Sequence, residues 1–228
     1  MSRVKNSMAK RIAGYSEITK QPTKRAKPKS RIQKANESKI IDAAIKNFSR
    51  HGSRGATIDE IARDAGLSKT NLLYYFKTKE ELYLRALDHV LDIWLSPLEG
   101  LDPDSSPEDA LSHYIEQKMQ MSRDHPEASR VYAMEIIEGA KTIKPVLQSR
   151  LAALTKSKKR ILAKWSKQGK LANISGMHLL FMIWAVTQHY ADFEAQVASQ
   201  TGKTLKNQNF FKEATQAIKS IIFYGVIR

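Results

Sequence analysis

At 228 residues with 42% apolar side chains, the chain is long enough to bury one medium core or two small ones. It has no cysteine, which excludes disulfide scaffolds, zinc ribbons, thiolate catalysis and iron–sulfur clusters and fits a reducing, cytoplasmic setting. The longest apolar run, Leu179 to Val186, is far short of the roughly 20 residues that span a bilayer, and the basic N-terminus has no apolar stretch behind it to make a secretory signal.

The net charge of +15 is unevenly placed: residues 1–35 hold 11 Lys/Arg against the single Glu17, a net of +10, so the other 193 residues carry +5. A cationic segment ahead of a nearly balanced body suits a protein that holds phosphates by releasing their counterions. The same composition also makes a plain solvated tail. Large apolar residues for an interfacial membrane helix are missing from it, so no membrane partner is expected. With Pro22, Pro28 and few bulky side chains, residues 1–35 cannot offset the entropy of ordering and are read as a disordered basic arm.

From Asn36 the pattern turns helical, with Ile40, Ile41, Ala44, Ile45 and Phe48 on one face and His51-Gly52 as the stop. Thr57-Ile-Asp-Glu60 is a capping box, followed by Ile58, Ile61, Ala62 and Ala65 at helical spacing and Gly66 as terminator. Ser68 then caps a short helix from Lys69 to Tyr75, anchored by Leu72, Leu73 and Phe76. Two short helices joined through a glycine turn make a helix-turn-helix over residues 57–76.

A second capping box, Thr78-Lys-Glu-Glu81, opens a long amphipathic helix through Trp94 that closes near Pro97 and Gly100. Ser106-Pro107 and His125-Pro126 start two more, ending near Arg123 and Gly139. Further helices are predicted at roughly 143–168, 175–198 and 206–224, and no strand-period alternation competes with them. The expected fold is all-α: a DNA-binding domain over 36–78 and a larger ligand-binding and dimerisation domain over 79–228.

The stretch Thr57 to Leu82 reads TIDEIARDAGLSKTNLLYYFKTKEEL. Its helix-turn-helix, the aromatic YYF closing the third helix and the K-x-K-E-E-L start of the fourth resemble the TetR family of bacterial regulators. Independently of that likeness, a recognition helix must offer short polar and cationic groups from its first turn, as Ser68, Lys69, Thr70 and Asn71 do. Lysine can donate to guanine O6/N7 and asparagine can pair with adenine N6/N7, so Lys69 and Asn71, with Thr70 between them, are the base-reading candidates. The resemblance implies phosphate contacts from Thr57, Ser68, Tyr74, Tyr75 and Lys79, which set register rather than sequence. Thr70 and Leu73 stand where the family often has glycine and tyrosine, and Leu73 can donate no hydrogen bond. The bland alternative is that YYF is core and Lys77 and Lys79 a solvated face.

In the second part, LDIWLSPL (91–98), SKQGKLANI (166–174) and FMIWAVTQHYADF (181–193) resemble the pyrimidine-utilisation branch of that family, which implies an effector of the uracil or thymine kind. Such a ring needs a flat apolar slot and a few convergent polar groups. Trp184 and Gln188 lie at i, i+4 on one helix face; the indole offers a wall, and the carboxamide both donates and accepts like the edge of a pyrimidine-dione. Trp94 and Tyr190 are further ligand candidates, Trp94 at the end of the long amphipathic helix that opens at Thr78. A tryptophan in an apolar run also serves as core, and a glutamine also satisfies a buried carbonyl or faces a second copy. His189 and Asp192 lack a third ligand or a nucleophile nearby, so neither a metal nor a cofactor is expected.

The family pairs its last two helices across a two-fold axis. The stripe Phe210, Phe211, Ala214, Ala217, Ile218, Ile221 and Ile222 suits a homodimer that reads a near-palindromic operator. Effector binding would then shift the fourth helix and favour a form that cannot dock on both half-sites. An enzyme is not expected, because the ten glycines form no phosphate-cradling loop and no nucleophile, base and orienter converge. The remaining alternatives are a regulator of another small molecule and a nonspecific nucleic-acid binder.

Overall fold

In the computed structural model, which describes residues 30–228, helix α1 (Arg31–Gly55) begins on Ser30, whose hydroxyl accepts from Gln33 N while Gln33 Oε1 accepts from Ser30 N. The start lies ahead of Asn36, so residues 31–35, read as part of the arm, are helical. Those first turns carry a capping box but bury almost nothing, Ile32 being exposed, and an argument from burial alone passes over them. Residues 1–29, the rest of the arm, lie outside the described residues. The expected stop at Gly52 is a kink, at φ 67° and ψ 174°, after which the helix resumes to Gly55. The conformation is glycine's by right, and a Cβ there would lie 3.3 Å from Met134 Cε.

Contacts divide the chain into two units. The first runs to His89 and takes in Met134–Pro145. It holds α1, α2 (Ile58–Asp64), α3 (Lys69–Tyr75) and the start of α4 (Lys79–Glu99). Its buried side chains are those the helical spacing selects: Ile40, Ala44 and Phe48 from α1, Ile61 and Ala62 from α2, Leu72 from α3 and Leu82 from α4. The turn between α2 and α3 passes through Gly66 at φ 70°. Buried Asn47 donates to Ala43 O and to Asp64 Oδ2, both at 2.9 Å, tying α1 to the end of α2. Buried Glu135 accepts from Tyr83 Oη and from the backbone N–H of Thr142 and Ile143.

The second unit comprises Val90–Ala133 and Val146–Arg228. Its helices are the end of α4, α5 (Pro107–Asp124), most of α6 (Pro126–Ile137), α7 (Ala152–Lys167), α8 (Gly176–Asp192), α9 (Glu194–Thr201) and α10 (Gln208–Val226). A π-helical turn, Leu147–Leu151, leads into α7. Helix α5 is central: Leu111, Tyr114, Ile115 and Met119 pack with Leu179, Leu180 and Ile183 of α8 and Ile218 and Ile222 of α10. Pro97 sits in the last turn of α4, and the carbonyls of Glu99 and Leu101 just beyond it accept from the buried Lys158 ammonium at 2.9 and 3.0 Å. Among the described residues there is no strand, only an isolated antiparallel bridge between Leu171 and Ile227.

A further departure lies near the C-terminal end of the second unit. The single helix expected over 175–198 breaks at Phe193 (φ −113°, ψ 31°) into α8 and α9. Neither glycine nor proline marks the place. Side chains from α6 hold it instead: Ser129 donates to Asp192, and Arg130 donates to Ala191 O, which would otherwise continue the ladder, and to Glu194.

Candidate functional site

The helix-turn-helix presents its recognition helix from a firmly capped base. Thr57 Oγ1 accepts from Glu60 N, and Glu60 Oε2 accepts from both Thr57 N and Thr57 Oγ1, closing the capping box at α2. The Thr57 hydroxyl's hydrogen bond is the main reason that the Glu60 carboxyl titrates below its ordinary value. Ser68 Oγ accepts from Asn71 N at 3.2 Å, so the backbone of the first turn of α3 is fixed while Lys69, Thr70 and Asn71 stay exposed. Lys69 Nζ rests on Asp59 Oδ2 at 2.8 Å. An exposed pair of this kind contributes about 0–1 kcal/mol, so the ammonium exchanges readily onto an incoming acceptor.

At the other end of α3, Tyr74 is exposed and meets Tyr75 edge to face at 5.4 Å. The Tyr75 hydroxyl accepts from Asn36 Nδ2 at 3.1 Å, and Lys79 Nζ donates to Arg54 O and Ala56 O, both at 3.1 Å. Two of the three Lys79 donors thus close the end of α1, leaving one free to turn outward.

In the second unit, Trp94, Leu95 and Leu98 of α4, Tyr114 and Lys118 of α5, Tyr132 of α6, Leu151 of the π-turn, and Trp184 and Gln188 of α8 line a partly open cavity of about 40 Å³. That volume holds about three waters. Trp184 Nε1 donates to Tyr114 Oη at 2.6 Å, fixing the indole as a flat side of the cavity. The Lys118 ammonium sits 4.0 Å from the centroid of the Trp94 ring, and the side chain is 3% exposed. Burial lowers its pKa to about 7, against the opposing pull of the Asp192 charge. Trp94 Nε1 is buried with no hydrogen-bond partner among the described residues.

Residues 40–86 match the family described as bacterial regulatory proteins of the tetR family, and residues 87–228 match the C-terminal region of YcdC-like proteins. The chain belongs to the TetR family of bacterial transcriptional regulators. It is 44% identical over 209 residues to the HTH-type transcriptional regulator RutR of Escherichia coli K12, covering 92% of this chain and 99% of RutR. These relatives are non-enzymatic DNA-binding regulators, the class read from the sequence. Solved structures with the same fold include a TetR-like regulator from Rhodococcus sp. RHA1, with TM-score 0.62, 21% identity and coverage of 86% of this chain and 97% of that one. Another is AibR in complex with isovaleryl coenzyme A and operator DNA, with TM-score 0.66, 13% identity and coverage of 82% and 98%.

Within this TetR-family frame, three of the four residues singled out for a ligand, Trp94, Trp184 and Gln188, line one cavity. Tyr190 does not: its ring packs edge to face on Phe210 of α10 at 6.1 Å, away from that wall. The sequence reading passed over Lys118, Tyr114 and Tyr132. Lys118 had a signal, because it falls on the buried stripe of α5 among Leu111, Tyr114, Ile115, Met119 and Ser122, where a lysine is out of place.

The stripe assigned to a second copy is also divided. Ile218 is buried in the chain's own core, and Phe210 and Phe211 pack against it, Phe211 beneath the Arg123 guanidinium. Ile221 alone of the four named residues faces outward, 72% exposed, beside Ala217 and Tyr224. Phe181 and Met182 on α8, and Phe193 at the break after it, are exposed as well.

Proposed function

We propose that this chain is a homodimeric repressor that binds a near-palindromic operator and releases it on binding a small planar effector, uracil or thymine, so controlling genes of pyrimidine utilisation. The observation that carries the reading is the cavity: two indoles, a carboxamide and a lysine gathered around a space of about 40 Å³. The indoles supply the flat wall, and the carboxamide the donor and acceptor, that a small planar ring needs. The resemblance of the sensor segments to RutR, the pyrimidine-utilisation regulator, points to the same ligand. Helix α4 carries Trp94, and its N-terminal turn follows α3 in the chain, which makes it the proposed element through which a shift at the cavity wall acts.

Lys69, Thr70 and Asn71 are the proposed base readers. Thr57, Ser68, Tyr74 and Tyr75 are the proposed phosphate contacts, with Lys79 contributing its one remaining donor. Lys69→Ala and Asn71→Ala are each expected to cost about 1–3 kcal/mol of operator binding and to relax the preference at one base position. Fluorescence anisotropy on operator variants measures this, and loss spread evenly over all sequences would reassign the residue to phosphate. At about 0.15 M salt the wild type should keep a preference of roughly 10³ or more for its operator over unrelated DNA, which a nonspecific binder would not.

For the homodimer, the outward faces of α8 (Phe181, Met182, with Phe193 at its C-cap) and α10 (Ala217, Ile221, Tyr224) are offered as the isologous interface, since an apolar surface spread over two helices of one unit is costly to leave in water.

The effector is tested by a thermal-shift screen of pyrimidines and purines. Uracil at 100 times its Kd should add about 2.7 kcal/mol of stability, and no shift with uracil or thymine removes the assignment. Gln188→Leu keeps the volume but neither donates nor accepts. It is expected to abolish the effect of uracil on operator binding, and unchanged uracil affinity would take Gln188 out of the site.

A further inference from the structure

We propose that Lys118, Trp94 and Tyr114 form an acceptor-reading wall of the effector cavity, which selects flat rings bearing carbonyl or anionic oxygens and rejects rings that present an exocyclic amino group there. The inference deepens the effector reading above and rests on it for the choice of uracil as ligand.

Each polar group on this wall has a hydrogen to donate and no acceptor for it among the described residues. Protonated Lys118 has three ammonium hydrogens and is almost fully buried, with the π face of Trp94 beneath it. Among the described residues no carboxylate lies within ion-pairing distance of it, and Asp192, the charge that acts on it, is engaged by the Ser129 hydroxyl. Trp94 Nε1–H has no partner. Tyr114 accepts the Trp184 N–H with its oxygen, so its own hydroxyl proton is left to donate. Unpaired donors in low dielectric are expensive. A core would fill the place of Lys118 with leucine or methionine at no such cost, whereas a ligand oxygen converts the same groups into charge-assisted hydrogen bonds.

The wall therefore sets a rule. A pyrimidine-dione offers carbonyl oxygens at both positions flanking its imide N–H, while cytosine replaces one of them by an amino group whose hydrogens meet the donors head on. Gln188 on α8, able both to donate and to accept, takes the ring's own N–H/C=O edge. Discrimination of this kind comes from leaving the site's polar groups unpaired with the wrong ligand.

The test titrates the full-length protein with uracil, cytosine and succinimide, the bare imide, by calorimetry and by following the tryptophan indole N–H resonances. The wild type should bind uracil at least tenfold more tightly than cytosine. Lys118→Met should weaken uracil on the order of 10- to 100-fold and erase most of that preference, and Trp94→Phe, which keeps a ring but loses the N–H, should weaken it by about 3- to 10-fold. Circular dichroism establishes that each variant is folded.

Uracil binding that is equal in the wild type and both variants overturns the acceptor wall and leaves the effector reading standing. If uracil fails to bind but succinimide moves the Trp94 resonance in the wild type and not in Lys118→Met, the effector reading falls and the wall is supported. If neither probe binds, both fall.

Discussion

Lys118→Met is expected to raise the melting temperature at pH 7 while it lowers effector affinity. The fall of the lysine's pKa from 10.5 to about 7 is a drop of about 3.5 units. At ~1.4 kcal/mol per unit this is a destabilisation on the order of 4 kcal/mol near neutral pH, set against about 2 kcal/mol for a desolvated cation–π contact that methionine gives up. The balance of about 2 kcal/mol corresponds to a gain of about 4–8 °C for a chain of this size. A lysine that merely supported the fold would give the opposite sign, so a lower melting temperature in the variant sinks the argument.

The pH dependence follows from the direction of the shift. The folded pKa lies below the unfolded one, so between about pH 7 and pH 10.5 the unfolded chain holds a proton at Lys118 that the folded chain has lost. Stability from this group therefore rises with pH across that window, and the advantage of the methionine variant shrinks as pH rises through it. The groups facing Lys118 do not share the window in the same sense: burial pushes the hydroxyls of Tyr114 and Tyr132 up, and burial also raises the Asp192 carboxyl from the acid side. Because the ligand oxygens are held by the ammonium, uracil affinity should be constant below pH 7 and weaken by up to tenfold per unit above it. Calorimetry in the wild type and in Lys118→Met, where the dependence should vanish, measures this.

Locally written structure was the most legible. Thr57-x-x-Glu60, Ser68 and Gly66 act within a few residues of where they stand, and the hydrogen bonds they make fix α2 and α3 where the spacing put them. The start of α1 was equally local, in Ser30-x-x-Gln33, but those turns bury so little that a reading weighted toward apolar periodicity assigned them to the arm. The break at Phe193 was not legible, because the groups that end α8 belong to α6, and sequence spacing says nothing of Ser129 or Arg130 meeting Asp192 and Ala191.

The cavity of the second unit falls between these cases. Trp184 and Gln188 line it together because one helix carries both, and Lys118, which breaks the apolar stripe of α5, lines it with them without having been singled out from the sequence. Helical periodicity identified which residues of α10 are apolar but not which way each turns. The stripe spans more than one face, and the division between Ile218 inside and Ile221 outside depends on where α5 lies against it.

That division supplies the second large effect. Ile221 and Tyr224 are 72% and 90% exposed in the single chain, so charging them disturbs none of the core built on Ala214, Ile218 and Ile222. The double substitution Ile221→Asp, Tyr224→Asp should therefore keep its helical circular dichroism while placing two carboxylates from each copy at the centre of the proposed interface, where desolvated like charges cost several kcal/mol. Sedimentation should find a monomer where the wild type is a dimer. Operator affinity should fall by at least ~10²-fold, because a second recognition helix held on the same dimer gains an effective concentration that a free monomer lacks. Affinity for a single half-site, read by one recognition helix, should fall far less, which separates loss of pairing from damage to α3. A wild type that sediments as a monomer at operator-binding concentrations, or a charged variant that remains a dimer, would remove these faces of α8 and α10 from the interface.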